Sequence, residues 1–184
     1  MKYNEIEGDL IQLALKGKFD VIGHGTNCFC TQRNGIAPLM VKAFGTNTFE
    51  MENNIHKGDI NKLGTIDYRQ LVIKDGKVED WDYTGKQQEL FVINCYSQYN
   101  YSATTKPLDY EALTLCMRKI NHIFKGKHIG LPTIGCGLAG GIWDKSKLDM
   151  HDQIIFERRF NKDVKTIIQD ELKDCDVTIV HFKP

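Results

Sequence analysis

The stretch LPTIGCGLAGGIW, residues 131–143, sets four glycines within seven positions directly behind a short apolar run and ends at Trp143. Residues 135–140, GCGLAG, satisfy G-x-G-x-x-G, and the run before them, HIGLPTI (128–134), reads as a buried strand. A glycine-rich turn behind a strand first raises the dinucleotide-binding βαβ unit. That unit opens its domain, begins a helix at once and puts an acidic residue about 20 positions on, at the end of a second strand. Here the motif falls about three quarters along the chain, with one clear strand, VTIVHF (177–182), after it, so the dinucleotide reading is set aside. A structural turn uses glycine wherever positive φ is needed. Four glycines exceed that need. The surplus fits a backbone that lets a bulky anion come close, so that successive N–H groups converge on phosphate oxygens.

A second segment has the same layout. FDVIGHGTNCFCTQRNGIAPLMVKAFG (19–45) runs from strand through a polar, glycine-containing loop into a helix. Two anion-capable loops would then stand side by side at the carboxyl ends of strands, the edge where open α/β sheets take their ligands. Further strands are predicted in FDVIGHG (19–25), LGTIDYRQLVI (63–73), ELFVINCYS (89–97) and, more weakly, near residues 2–7. Several are continuously apolar and rich in Val and Ile, the pattern of strands buried on both faces. In LDYEALTLCMRKINHIF (108–124), Leu113, Cys116, Met117, Ile120, Ile123 and Phe124 recur at helical intervals, with Asp109 as the cap. Helices are also predicted from GIAPLMVKAFG (35–45) and in DVKTIIQDEL (163–172). Alternating strands and helices give an α/β sandwich with a largely parallel sheet. The stretch from 63 to 95, interrupted by KDGK (74–77) and the polar VEDWDYTGKQQ (78–88), reads as a hairpin, so the sheet is mixed.

At 184 residues, without repeats or low-complexity linkers, the expectation is one domain spanning 1–184. Lys plus Arg and Asp plus Glu are both 24, a zero net charge that gives no argument for nucleic acid or membrane as a partner. No run of about 18 apolar residues and no signal-peptide core occurs, so a cytoplasmic protein is expected. The six cysteines lack CxxC spacing and read as reduced packing residues, and no cluster has ligand spacing, so neither metal nor cofactor is expected.

Taken together, the motifs resemble the macro domain family of ADP-ribose-binding proteins. They occur in that family's order: GDL (8–10), VIGHGTNCFCTQRNGIA (21–37), LGTI (63–66), INCYSQYNY (93–101), KPLDYEAL (106–113), GLPTIGCGLAGGIW (130–143) and VTIVHF (177–182). The resemblance covers nearly the whole chain and is nearest to the short stand-alone branch of bacteria and phages that resembles ADP-ribose-1″-phosphate phosphatases. It implies a three-layer α/β/α sandwich and a monomer whose ligand is ADP-ribose or ADP-ribose-1″-phosphate.

Carried over by position, the resemblance gives Asp9 the adenine amino group, with the Leu10 N–H beside it, and Asn27 the distal ribose. Asn34, Gly35 and Ile36 take the first-loop contacts. Gly135, Cys136, Gly137, Leu138, Ala139 and Gly140 form the diphosphate loop, and Phe182 packs against adenine. His24, three residues before Asn27 and titrating near neutral pH, is the candidate acid or base for hydrolysis of the 1″-phosphate, with Asn27 orienting the ribose. The alternatives are a non-catalytic ADP-ribose module and a de-ADP-ribosylating hydrolase. Against the latter, no lysine lies between Asn94 and Thr105, and Ala139 stands where that mechanism uses a loop aspartate. Relatives carry an acidic residue before the loop tryptophan, whereas here Ile142 precedes Trp143 and Asp144 follows. The added stretch 144–163, with Met150, Ile154, Ile155 and Phe156, is predicted to form an extra helix over the loop. Its Arg158 and Arg159 are candidates for phosphate, set against a solvated charged face.

Overall fold

The computed structural model describes residues 2–53, 57–79 and 87–183. Strands β1 (Tyr3–Gly8), β2 (Val21–Asn27), β3 (Ile66–Lys74), β4 (Lys77–Glu79), β5 (Gln88–Gln98), β6 (His128–Leu131) and β7 (Asp176–Phe182) form one sheet in the order β1-β7-β6-β2-β5-β3-β4. The five strands from β1 to β5 in that order run parallel, while β3 runs antiparallel to both β5 and β4. The mixed sheet read from the sequence is therefore present. Residues 80–86 of the polar interruption lie outside the described residues.

Period-two alternation of the strands creates the layers. Val21 joins a core with Ile93, Ile129, Val177 and Ile179, against Leu113, Met117 and Ile120 of α3 (Tyr110–Ile123) and Ile167 and Ile168 of α5 (Val164–Glu171). Ile22, one residue on, joins the opposite core with Leu90, Val92 and Val180, against Leu10, Ile11 and Ala14 of α1 (Leu10–Leu15) and Met40 and Phe44 of α2 (Ala37–Phe44). Each fully buried Ile or Leu contributes about 1.5–3 kcal/mol, so the two cores hold helices on both faces of the sheet.

Local chemistry sets the element ends. Asp109 caps α3 by accepting from Ala112 N at 2.8 Å, and the predicted apolar face is buried except at Ile123, which stands outward on the last turn. The strand predicted to reach residue 134 stops at Leu131, because Pro132 has no N–H to give the ladder. α2 has Pro38 in its first turn and ends on Gly45 at φ 66°. The extra helix exists as α4 (Met150–Arg159), capped by Asp149. Of its four apolar residues only Phe156 is buried; Met150, Ile154 and Ile155 face outward, correcting the expectation that they cover the loop. The Phe156 and Phe160 rings pack on Tyr110 at 5.8 and 4.5 Å, and the Tyr110 hydroxyl accepts the Ile142 N–H at 2.8 Å. That hydroxyl links α3 and α4 to the end of the glycine loop.

Candidate functional site

A cavity of about 500 Å³ opens at the carboxyl ends of β2, β6 and β7, a volume typical of small-molecule sites. One wall is the segment after β2. Asn27, 4% exposed, accepts Phe29 N and Thr31 N on Oδ1 at 3.0 and 3.2 Å and donates Nδ2 to the Thr31 carbonyl at 3.0 Å. Its side chain therefore folds the first loop and leaves one amide hydrogen for a ligand. The loop then delivers Asn34, Gly35 and Ile36 to the cavity at the start of α2, which has no side-chain cap. The N–H groups of these three residues have no partner among the described residues. Such unspent donors, at the positive end of a helix dipole, favour an anion.

The glycine loop lines the same cavity. Its turns are closed by Cys136 N to Thr133 O (3.1 Å), Gly140 N to Gly137 O (3.0 Å) and Gly141 N to Gly135 O (2.9 Å). The N–H groups of Gly135, Gly137, Leu138 and Ala139, all on the cavity wall, have no partner among the described residues. The glycines divide by purpose. A Cβ on Gly141 would come within 2.3 Å of Leu108 Cδ2, and one on Gly140, at φ 72°, within 2.6 Å of the Lys106 stem. Those two let the loop pack down. A Cβ on Gly137 would meet nothing within 4 Å, so that position is left open toward a ligand.

At one end of the cavity Asp9 caps α1, its Oδ1 accepting Ile11 N at 2.9 Å and Gln12 N at 3.0 Å, which leaves Oδ2 as an acceptor. Leu10 follows on the wall, its N–H without a partner among the described residues. Phe182 borders the same end and is 69% exposed, so it is not the core residue that a terminal strand usually supplies. At the other end the wall is Asn27, Thr31, Gln98 and Tyr101.

No protein-family model matches the sequence. An uncharacterised 17.5 kDa protein from the tk-vs intergenic region of Enterobacteria phage T4 is 29% identical over 143 residues, covering 76% of this chain and 81% of that protein. The macrodomain of Thermus aquaticus DarG superimposes with a TM-score of 0.54 at 16% identity, covering 99% of this chain and 98% of that one. The fold is that of a macrodomain. Thermosipho africanus DarTG, solved in complex with ADP-ribose, matches with a TM-score of 0.59 at 13% identity, over 97% of this chain and 41% of that one.

Within this macrodomain fold, five of the residues named from the sequence stand away from the cavity wall. His24 is the main correction, because it is fully buried and its Nε2 donates to Asn94 Oδ1 at 2.8 Å. The amide orientation follows from Asn94 Nδ2, which is spent on the Thr46 carbonyl at 2.9 Å. Burial lowers the His24 pKa to about 4, against the opposing hydrogen bonds of Asn94 and the Gly25 backbone. A sealed, neutral imidazole cannot exchange protons with a ligand in the cleft. Cys136 turns its Sγ toward the Ile134 carbonyl at 3.5 Å, and burial pushes its thiol up to about 12. Gly140 serves packing. Arg158 and Arg159 are exposed on α4 and absent from the wall, Arg159 lying 5.3 Å from the Phe160 ring, which fits the solvated charged face and not the phosphate contact.

The sequence reading missed Thr31, Gln98, Tyr101 and Thr133 on the wall. Gln98 and Tyr101 lie inside the quoted INCYSQYNY, at the end of β5 and just beyond it, and strand-end position was the one signal available for them. Among the described residues no group of three or more His, Cys, Asp or Glu could hold a metal ion.

Proposed function

We propose that this protein binds ADP-ribose in the cavity between its two loops. The observation that carries the reading is the pair of unspent N–H sets, Asn34–Gly35–Ile36 and Gly135–Gly137–Leu138–Ala139, lining one cavity. Two such sets suit a diphosphate, whose oxygens need several converging donors. The flanking groups suit the rest of the molecule. Asp9 Oδ2 and the Leu10 N–H complement the amino and ring-nitrogen edge of adenine, and the exposed Phe182 ring offers it a stacking face. Asn27, Thr31 and Gln98 offer amide and hydroxyl groups to the terminal ribose. The ADP-ribose held by the Thermosipho protein of the same fold supports the choice of ligand.

Hydrolysis of ADP-ribose-1″-phosphate to ADP-ribose and phosphate is the finer reading, and it rests on the family resemblance. It asks for a general acid or base beside the terminal ribose. The described wall has two titratable side chains, Asp9 at the adenine end and Tyr101 at the ribose end. Any rate must then come mainly from positioning and from N–H stabilisation of developing charge. Calorimetric titration with ADP-ribose, run beside a phosphate-release assay on ADP-ribose-1″-phosphate, tests both levels. Saturable one-to-one binding is the expected result, and absence of binding overturns the proposal. Phosphate release above the uncatalysed rate decides for the hydrolase.

A further inference from the structure

Beyond Asn27 and Gln98 the ribose end of the cavity becomes aromatic. Tyr101 lines it and is 55% exposed, with its ring 5.8 Å from Phe29 at an interplanar angle of 87°. Phe29 in turn meets Tyr99 edge-on at 5.4 Å. The two inner rings are braced from behind: the Tyr99 hydroxyl donates to the Gly58 carbonyl at 3.0 Å, and a Cβ on Gly58 would come within 2.7 Å of Phe29. Tyr101 is thus backed by a fixed pair of rings while its own surface stays in solvent. Its hydroxyl has no hydrogen-bond partner among the described residues. Core packing does not account for a half-exposed tyrosine on a cavity wall, and exposed aromatic surface beside a pocket marks a binding surface.

Charge narrows what this surface receives. The described wall carries no Lys, Arg or His. A phosphoryl group on the terminal ribose would add about −1.5 to −2 charges with no cationic side chain to meet them. A planar ring, neutral or cationic, instead finds an aromatic face, worth about 1–3 kcal/mol when a heterocycle stacks on it.

We propose that the site selects ADP-ribose whose terminal ribose bears a planar heteroaromatic group at C1″, with Tyr101 as the residue that recognises that group. This rests on the ADP-ribose reading above and adds the class of substituent. It requires binding alone and no covalent step.

The probes are ADP-ribose, ADP-ribose-1″-phosphate, and the two anomers of NAD, which carry one nicotinamide ring on opposite faces of the ribose. Titrated calorimetrically, one NAD anomer is expected to bind at least about fivefold tighter than ADP-ribose, the lower bound of the stacking energy. Tyr101→Ala brings the ratio of NAD to ADP-ribose affinity down to about one, and Tyr101→Phe keeps it, the thermal midpoint of each variant confirming that it is folded. The inference is overturned if both anomers bind no tighter than ADP-ribose, if Tyr101→Ala weakens all ligands equally, or if the 1″-phosphate compound binds best. Failure of ADP-ribose itself to bind overturns the parent reading, a separate outcome.

Discussion

Replacing Gly137 by valine separates the two reasons a glycine can stand in the second loop. In the free protein the substitution costs little: a Cβ at this position meets nothing within 4 Å, and Gly137 is not among the glycines with positive φ. Loss of glycine freedom from the unfolded chain even favours folding, by about 0.4–1 kcal/mol on the Gly→Ala scale. With ligand bound, the branched methyls occupy the approach to an N–H that is otherwise unspent. Losing one hydrogen bond to a charged group removes about 1.5–3 kcal/mol, a roughly 12- to 150-fold weaker Kd. Gly141→Ala is the contrast, because its Cβ falls 2.3 Å from Leu108 Cδ2 and 2.9 Å from the Gly135 carbonyl oxygen. Overpacking of that kind costs about 1–3 kcal/mol, and in a chain of this size each kcal/mol lowers Tm by about 2–4 °C. Thermal unfolding and ADP-ribose titration of the two variants decide the matter. The account fails if Gly137→Val unfolds as early as Gly141→Ala, or if it binds ADP-ribose like the parent.

Phe182→Ala should weaken ADP-ribose by about 1–3 kcal/mol of lost stacking and leave Tm unchanged, because the ring is 69% exposed; calorimetry and a melting curve check both halves. The His24 pKa, about 4 when folded, lies below the roughly 6.5 of an unfolded chain, so the unfolded state takes up the proton first. Stability therefore declines as pH falls from about 6.5 toward 4, by up to about 1.4 kcal/mol per unit. In His24→Asn the difference in urea-unfolding free energy between pH 7 and 4.5 should shrink by about 2–3 kcal/mol, and an unchanged slope refutes the burial argument. With no Lys, Arg or His on the described wall, ADP-ribose affinity should vary less than about threefold between 0.05 and 1 M NaCl, and a steep decline would reveal a cation that the cavity wall lacks.

The legible parts of the fold were those in which one physical demand acts on many residues together. Val21, Ile22, Val92 and Ile93 are buried on alternating faces, and a run of that kind reads as a central strand without further information. Helix α1 was not legible, because six residues carry too little periodicity and its cap, Asp9, already had another reading as a ligand contact. Both glycine loops could be found because backbone that approaches an anion must shed its side chains, a requirement written directly into composition. His24 was misjudged on a question of facing. It lies two residues from Ile22 and so on the same side of the sheet, toward Asn94 and Thr46, and nearness to Asn27 along the chain did not bring it into the cleft. Tyr101 and Gln98 had no local signature, since their position depends on where β5 ends relative to the first loop. That register is set by the irregularity at Thr26 and Asn27, where Asn27 pairs with Gln98.

The central claim is that donors from two separate segments close on one diphosphate. Amide hydrogen exchange with and without saturating ADP-ribose tests it directly, read at Asn34, Gly35 and Ile36 and at Gly135, Gly137, Leu138 and Ala139. The account predicts slower exchange in both groups at the same ligand concentration. Protection of one group alone, or of neither while ADP-ribose binds elsewhere, would contradict it.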